Sequence, residues 1–186
     1  MTPSSSWYTE VAATTPLTQG DLIDECPVLQ WATGAEGGAS DLKAATRAVS
    51  ADVIVMTQAC DLEQGKVANV LLCPRDRLSV YKQCWEANQR ARGQSPTAKS
   101  WAAHCDRIRD GFVWNVGLLD AAPSGEVFLI DFHEVFTVPR SFLDSFLHQQ
   151  GRPRLRLKSP YREHLSQAFA RFFMRVGLPT SVTRSW

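Results

Sequence analysis

Two short apolar runs in the middle of the chain give its clearest structural pattern. Residues 53–56 and 67–72 are rich in β-branched side chains and are joined by a polar segment. Apart from Asn69, both runs are apolar throughout and do not alternate, which is typical of strands that are covered on both faces or line a small barrel. Further strand-like runs lie at residues 22–26, 112–119 and 126–132. The turn residues Pro-Ser-Gly at 123–125 predict a hairpin between the last two runs.

Helical patterns occur from residue 75 onward. Residues 75–92 and 97–109 carry helix formers, are separated by Gly-Gln-Ser-Pro, and predict a helical insertion over residues 75–110. A short helix is expected over residues 140–148. Ser159 and Pro160 supply an N-cap and a first-turn proline, and Gly177 and Pro179 end the apolar pattern. The pattern therefore predicts a C-terminal helix within residues 159–177.

Together these elements predict one α+β domain over residues 1–186. At this length a single domain can bury a proper core. The expected architecture is a small SH3-like β-barrel core that carries the helical insertion and has the C-terminal helix packed on it. The Ser/Thr-rich residues 1–15 lack periodicity and are expected to form a loose N-terminal arm.

Composition narrows the functional classes. The net charge of +1 argues against a globally basic nucleic-acid coat, although it allows local basic patches. No apolar run is long enough for a membrane helix and the start lacks a signal-peptide core, so a cytoplasmic protein without membrane contact is expected. The five cysteines form no CxxC pair and the four histidines are dispersed, so reduced thiols and no metal or cofactor are expected. Phosphate-loop, dinucleotide, GxSxG and HExxH motifs are absent from the sequence.

A polar corner follows the first central strand. It consists of Thr57, Gln58, Cys60 and Asp61, which offer a hydroxyl, an amide, a thiol and a carboxylate within five residues. A Cys60 nucleophile would need a base, and His133, at the end of another predicted strand, is the best candidate. The structural alternative is that Thr57 and Asp61 cap backbone amides and Cys60 serves as a small apolar group.

Basic residues cluster near the C-terminus. Arg171 and Arg175 lie on the polar stripe of the predicted last helix, and Arg154 and Arg156 lie in the basic segment just upstream. These four residues indicate either a solvated helix face or a surface for an anionic ligand or an RNA backbone.

The order of elements resembles that of the MazF/PemK-like toxins. The similar segments are Gly-Asp-Leu-Ile at 20–23, Val-Ile-Val-Met-Thr at 53–57, Val-Leu-Leu-Cys-Pro at 70–74 and Phe-Leu-Ile-Asp at 128–131. The resemblance covers about half of the chain. It implies metal-independent cleavage of single-stranded RNA, with Thr57 and an arginine at the scissile phosphate. Arg47 is the nearest match to that arginine, although the proline that follows it in the family is missing here.

The sequence thus favours a toxin-like or defence-associated protein that interacts with RNA and acts as an endoribonuclease. Asp61 or His133, Thr57 and an arginine would supply the base, the acid and the positive charge. One alternative is a non-catalytic partner-binding subunit of a larger bacterial system. A second is a cysteine-dependent hydrolase that uses Cys60. Expected partners are single-stranded RNA and an antitoxin or a larger protein, and an oligomer is compatible with the sequence.

Overall fold

Antiparallel strands dominate the computed structural model, which describes residues 7–32 and 42–174. The strands are β1 (Tyr8–Val11), β2 (Leu22–Trp31), β3 (Thr46–Val55), β4 (Asn69–Arg77), β5 (Val116–Leu119), β6 (Phe128–Asp131), β7 (Phe136–Pro139) and β8 (Arg154–Leu157). The helices are α1 (Leu42–Ala45), α2 (Ala59–Glu63), α3 (Leu78–Ala91), α4 (Ala98–Arg109), α5 (Arg140–Gln150) and α6 (Tyr161–Phe173).

Strand β4 is the centre of the larger sheet. It pairs with β3 on one edge and with both β6 and β7 on the other, and the main strand order is β2-β3-β4-β6-β5. A second sheet pairs β1 with β8, and a bridge between Asp21 and Arg156 connects it to the start of β2. The domain is therefore mixed α/β with antiparallel sheets. The strands within the described residues form no closed barrel.

The two central apolar runs are strands because each face of the sheet meets a separate apolar core. Ile54 and Cys73 pack into the cluster that includes Phe132 and Leu165, whereas Val53 and its neighbours on the same face pack into the other cluster. Val53 and Ile54 have no exposed surface. This two-sided burial explains the continuous apolar pattern, and it confirms the prediction of a strand covered on both faces.

The predicted helical insertion is present as α3 and α4. It begins at Leu78 instead of residue 75, because residues 75–77 extend β4 and pair with β6. Leu78 and Tyr81 pack on a small cluster formed by Ile108, Val116 and Leu129. Thr97 and Ser100 form a capping box that starts α4.

A loose arm was predicted over residues 1–15, of which residues 1–6 lie outside the described residues, and the structure of residues 7–15 differs from that prediction. Residues 8–11 form β1, and its partner β8 comes from the basic segment that was expected to lie on the surface. Tyr8 is buried, and its hydroxyl donates a hydrogen bond of 2.7 Å to the Asp120 carbonyl oxygen. Four residues are too few for a periodic pattern, so the sequence gives no local indication of this strand.

Helix α6 confirms the predicted apolar face in the part that the structure describes. Leu165 is buried, and Tyr161, Phe169 and Phe172 pack against the same cluster as Phe132. Val176 and Arg175 lie outside the described residues. No helix in the described ranges is long and apolar enough to cross a membrane.

Candidate functional site

An open cleft of about 630 Å³ lies where the ribbon of β2 and β3 ends. Leu29, Gln30 and Trp31 of β2 line one side together with Arg47 of β3, and residues 133–137, which follow β6 and include the start of β7, line the other. β3 pairs with β4 only at residues 53–55. The first half of β3 pairs with β2 alone, so the two strands form a ribbon that extends beyond β4. The volume of the cleft lies in the range typical of ligand sites.

A chain of polar side chains connects the two walls of the cleft. Gln30 and Arg47 are cross-strand partners, and the Arg47 guanidinium donates a hydrogen bond of 2.9 Å to Gln30 Oε1. The amide nitrogen of Gln30 donates to Glu134 Oε1 at 3.4 Å. Gln30 thus holds a cation and a carboxylate at the same opening.

His133 is oriented by a carboxylate. Its backbone N–H donates a hydrogen bond of 2.9 Å to Asp131 Oδ1, and its ring Nδ1 lies 3.3 Å from the same oxygen. The edge of the ring also contacts Phe172, with the ring centroids 5.1 Å apart. Because the Nδ1 side of the ring is held by Asp131, Nε2 is the nitrogen left for proton transfer.

Large apolar side chains are exposed beside these charges. Leu29 is 72% exposed and Trp31 is 64% exposed, and Val135 on the opposite wall is also partly exposed. Trp31 is the cross-strand partner of Thr46, whereas Arg47 is that of Gln30, so the alternation of side chains along a strand places the indole and the guanidinium on opposite faces of the ribbon. The cleft thus offers two acid–base groups and a cation. The described residues contain no group of three or more His, Cys, Asp or Glu side chains that could hold a metal ion.

The polar corner predicted from the sequence lies outside this cleft. Thr57 Oγ1 accepts a hydrogen bond of 2.7 Å from the Leu71 backbone N–H, which attaches the end of β3 to β4. The exposed Cys60 thiol contacts Gln58 Oε1 at 3.7 Å and Asp61 Oδ1 at 3.8 Å. Among the described residues that line the cleft, none belongs to this corner. The structure therefore brings Arg47 and His133 together and leaves the four corner residues outside.

Two of the predicted anion-binding arginines are engaged inside the protein. Arg154 Nε lies 2.8 Å from Asp21 Oδ2, and the side chains of Arg154 and Asp21 are 4% and 0% exposed. Arg154 also donates to backbone carbonyls at residues 12, 13, 15 and 16. Arg156 donates to both carboxylate oxygens of the same aspartate. These contacts attach the N-terminal segment to β2 and β8.

Arg171 is exposed on α6. Its guanidinium lies 5.3 Å from the centre of the Trp114 ring, a cation–π contact at the edge of the domain. Arg175, the remaining member of the predicted basic stripe, is outside the described residues. The stripe is therefore described only up to Arg171.

Sequence reasoning missed Leu29, Gln30, Trp31 and Glu134 as members of the site. Glu134 could have been found, because it directly follows His133. The residues of β2 carry no local pattern that places them near His133. Their position follows from the cross-strand pairing of Gln30 with Arg47 and from the path of the ribbon.

Comparison of the chain with known protein families, with curated proteins and with solved structures finds no match. The candidate site therefore depends on its own geometry.

Proposed function

We propose that the protein is a toxin-like or defence-associated, RNA-interacting protein that acts as a metal-independent endoribonuclease on single-stranded RNA. The observation that carries this proposal is the cleft that Arg47, His133 and Glu134 line together. A cation and two acid–base groups are the parts that this reaction requires.

The proposed reaction assigns one role to each group. The Glu134 carboxylate takes the proton of the ribose 2′-hydroxyl, and the 2′-oxygen forms a bond to the adjacent phosphorus. The bond between phosphorus and the 5′-oxygen breaks, and His133 Nε2 gives its proton to that leaving oxygen, so that a 2′,3′-cyclic phosphate remains. Arg47 stabilises the charge on the phosphoryl oxygens, while Asp131 keeps the imidazole ring in position.

The proposal extends to the fold and the partners. We interpret the sheet β2-β3-β4-β7 as an opened SH3-like barrel similar to that of the MazF/PemK-like toxins. The approach of Gln30 on β2 to Glu134, just before β7, supports this interpretation. An antitoxin or a larger protein would be the natural partner, and the cytoplasm would be the place of action. Relative to the family resemblance, the proposal moves acid–base catalysis from Thr57 to His133 and Glu134.

The test is the cleavage of a long single-stranded RNA in the presence of EDTA. We expect the wild type to cut and to leave cyclic phosphate ends, and His133→Ala to slow cleavage by about 10²- to 10⁴-fold. His148→Ala is the matched control, because His148 is an exposed histidine near the end of α5 and should not affect the rate. Intact RNA at high protein concentration, or equal rates for the wild type and His133→Ala, would reject the nuclease.

The exposed Leu29 and Trp31 also favour a second candidate, a non-catalytic subunit that binds a protein partner through this ribbon. In that case Trp31→Ala would abolish capture of the partner, whereas His133→Ala would leave capture unchanged. Intact RNA combined with this pattern would select the second candidate.

A further inference from the structure

The α3–α4 hairpin projects from the sheet as a helical arm, by which we mean residues 78–109. No side chain of α3 is buried within the described structure, and in α4 only Ile108, near the end attached to the sheet, is buried. Side chains of the two helices nevertheless contact each other. Tyr81, Trp85, Trp101 and His104 pack against one another, with a hydrogen bond of 3.1 Å between the Tyr81 hydroxyl and His104 Nε2.

The outer part of this helical arm carries charge of a single sign. Arg90, Arg92 and Lys99 are exposed, and the sequence has no Asp or Glu from residue 87 to residue 105. Arg90 contacts Glu86 at 3.0 Å, so the strongest uncompensated charge is expected at Arg92 and Lys99. In a protein with a net charge of +1, this concentration of positive charge is local. Such a surface is suited to a polyanion.

The base of the helical arm packs on β6, the strand that leads to His133. Tyr81 packs on the cluster that contains Leu129 of β6, two residues before Asp131. The same Asp131 positions His133 in the cleft. From this base, the 14 residues of α3 span about 20 Å along the helix axis.

We propose that the helical arm is a second RNA-contact surface, on which Arg92 and Lys99 hold the phosphate backbone of the strand that leaves the cleft. This inference rests on the proposed function, because it requires RNA in the cleft. Contacts of this kind add affinity without reading the base sequence. Long RNA should therefore depend on the arm, whereas a fragment that only fills the cleft should not.

The test measures binding of a fluorescein-labelled 20-nucleotide RNA and of a 4-nucleotide RNA by fluorescence anisotropy at several salt concentrations, with all proteins carrying His133→Ala so that the RNA is not cut during the measurement. For the double variant Arg92→Gln, Lys99→Gln we expect the Kd of the long RNA to rise about tenfold at low salt. The slope of log Kd against log salt should fall by about 1.4, since each lost contact to a single strand removes about 0.7. The Kd of the short RNA should stay unchanged.

The matched control is the double variant Lys66→Gln, Lys158→Gln, which removes the same charge from positions outside the cleft and the helical arm that form no ion pair within the described structure. An equal effect of the two double variants, or no effect of the first, would overturn the inference. Failure of the nuclease proposal alone would give a different result. The slope of log Kd against log salt would still fall in the arm variant, but the wild type would leave the RNA intact. Conversely, RNA cleavage by the wild type together with an unchanged Kd of the arm variant would support the nuclease proposal and contradict RNA binding by the helical arm.

Discussion

Two groups of side chains in this protein each combine arginine with a carboxylate, but in opposite settings. In the buried ion-pair centre, Arg154 and Arg156 share the carboxylate of Asp21, whose side chain has no exposed surface. In the cleft, Arg47 and Glu134 are exposed and are connected only through Gln30. The first group joins three segments of the chain, and the second lies open to any ligand that enters.

The comparison shows that burial separates structural charge from available charge. A buried charge is stable only when it is paired and hydrogen-bonded, so the donors of Arg154 are fully engaged with Asp21 and with backbone carbonyls. An exposed charge stays solvated and keeps its capacity to bind. Basic residues that look alike in the sequence therefore differ in what they can do.

Replacement of Asp21 should have the largest effect. Asp21→Ala leaves Arg154 buried without its carboxylate, and we expect the free energy of unfolding to fall by about 3–5 kcal/mol. Urea denaturation followed by circular dichroism measures this change. The control is Glu25→Ala, because Glu25 forms an exposed ion pair of 2.7 Å with Arg152 and such pairs contribute about 0–1 kcal/mol. A similar loss of unfolding free energy in both variants would contradict the distinction between structural buried charges and exposed charges.

Thr57 should behave as a structural residue. Thr57→Val keeps the shape of the side chain but removes the oxygen that accepts the Leu71 N–H, so we expect a loss of about 1–3 kcal/mol. Thr57→Ser retains the acceptor and is the matched control. The rate of RNA cleavage per folded molecule should be the same for all three proteins. If Thr57→Val lowers the rate of RNA cleavage but not the free energy of unfolding, Thr57 would act in catalysis, as the family resemblance implies.

The parts of the fold that follow from local patterns could be predicted from the sequence. The central strands, the β5–β6 hairpin, the helical pair and the apolar face of α6 each occupy enough consecutive residues to display a period or a turn. Strand β1 and the pairing of β8 could not be predicted in this way. They depend on contacts between residues more than 140 positions apart, such as Tyr8 with Leu157.

The candidate site was only half predictable for the same reason. Arg47 and His133 stand out as single residues, but their proximity depends on how far the β2–β3 ribbon extends past β4. Trp31 and Gln30 gain their importance only from that geometry. In contrast, the corner at residues 57–61 is conspicuous in the sequence because its polar residues are consecutive, and the structure gives Thr57 a backbone contact.

Cys60 should give the smallest effect and completes the test of the corner. Burial raises the pKa of Cys26 to about 11 and that of Cys73 to about 12, which keeps these two thiols protonated, so the exposed Cys60 is the stronger thiol candidate. We expect Cys60→Ala to change the free energy of unfolding by less than about 0.5 kcal/mol, because its side chain is exposed. RNA cleavage by this variant should equal that of the wild type. Cys84→Ala, at another exposed thiol, is the control, and a hydrolytic activity lost in Cys60→Ala but kept in Cys84→Ala would establish the cysteine hydrolase instead.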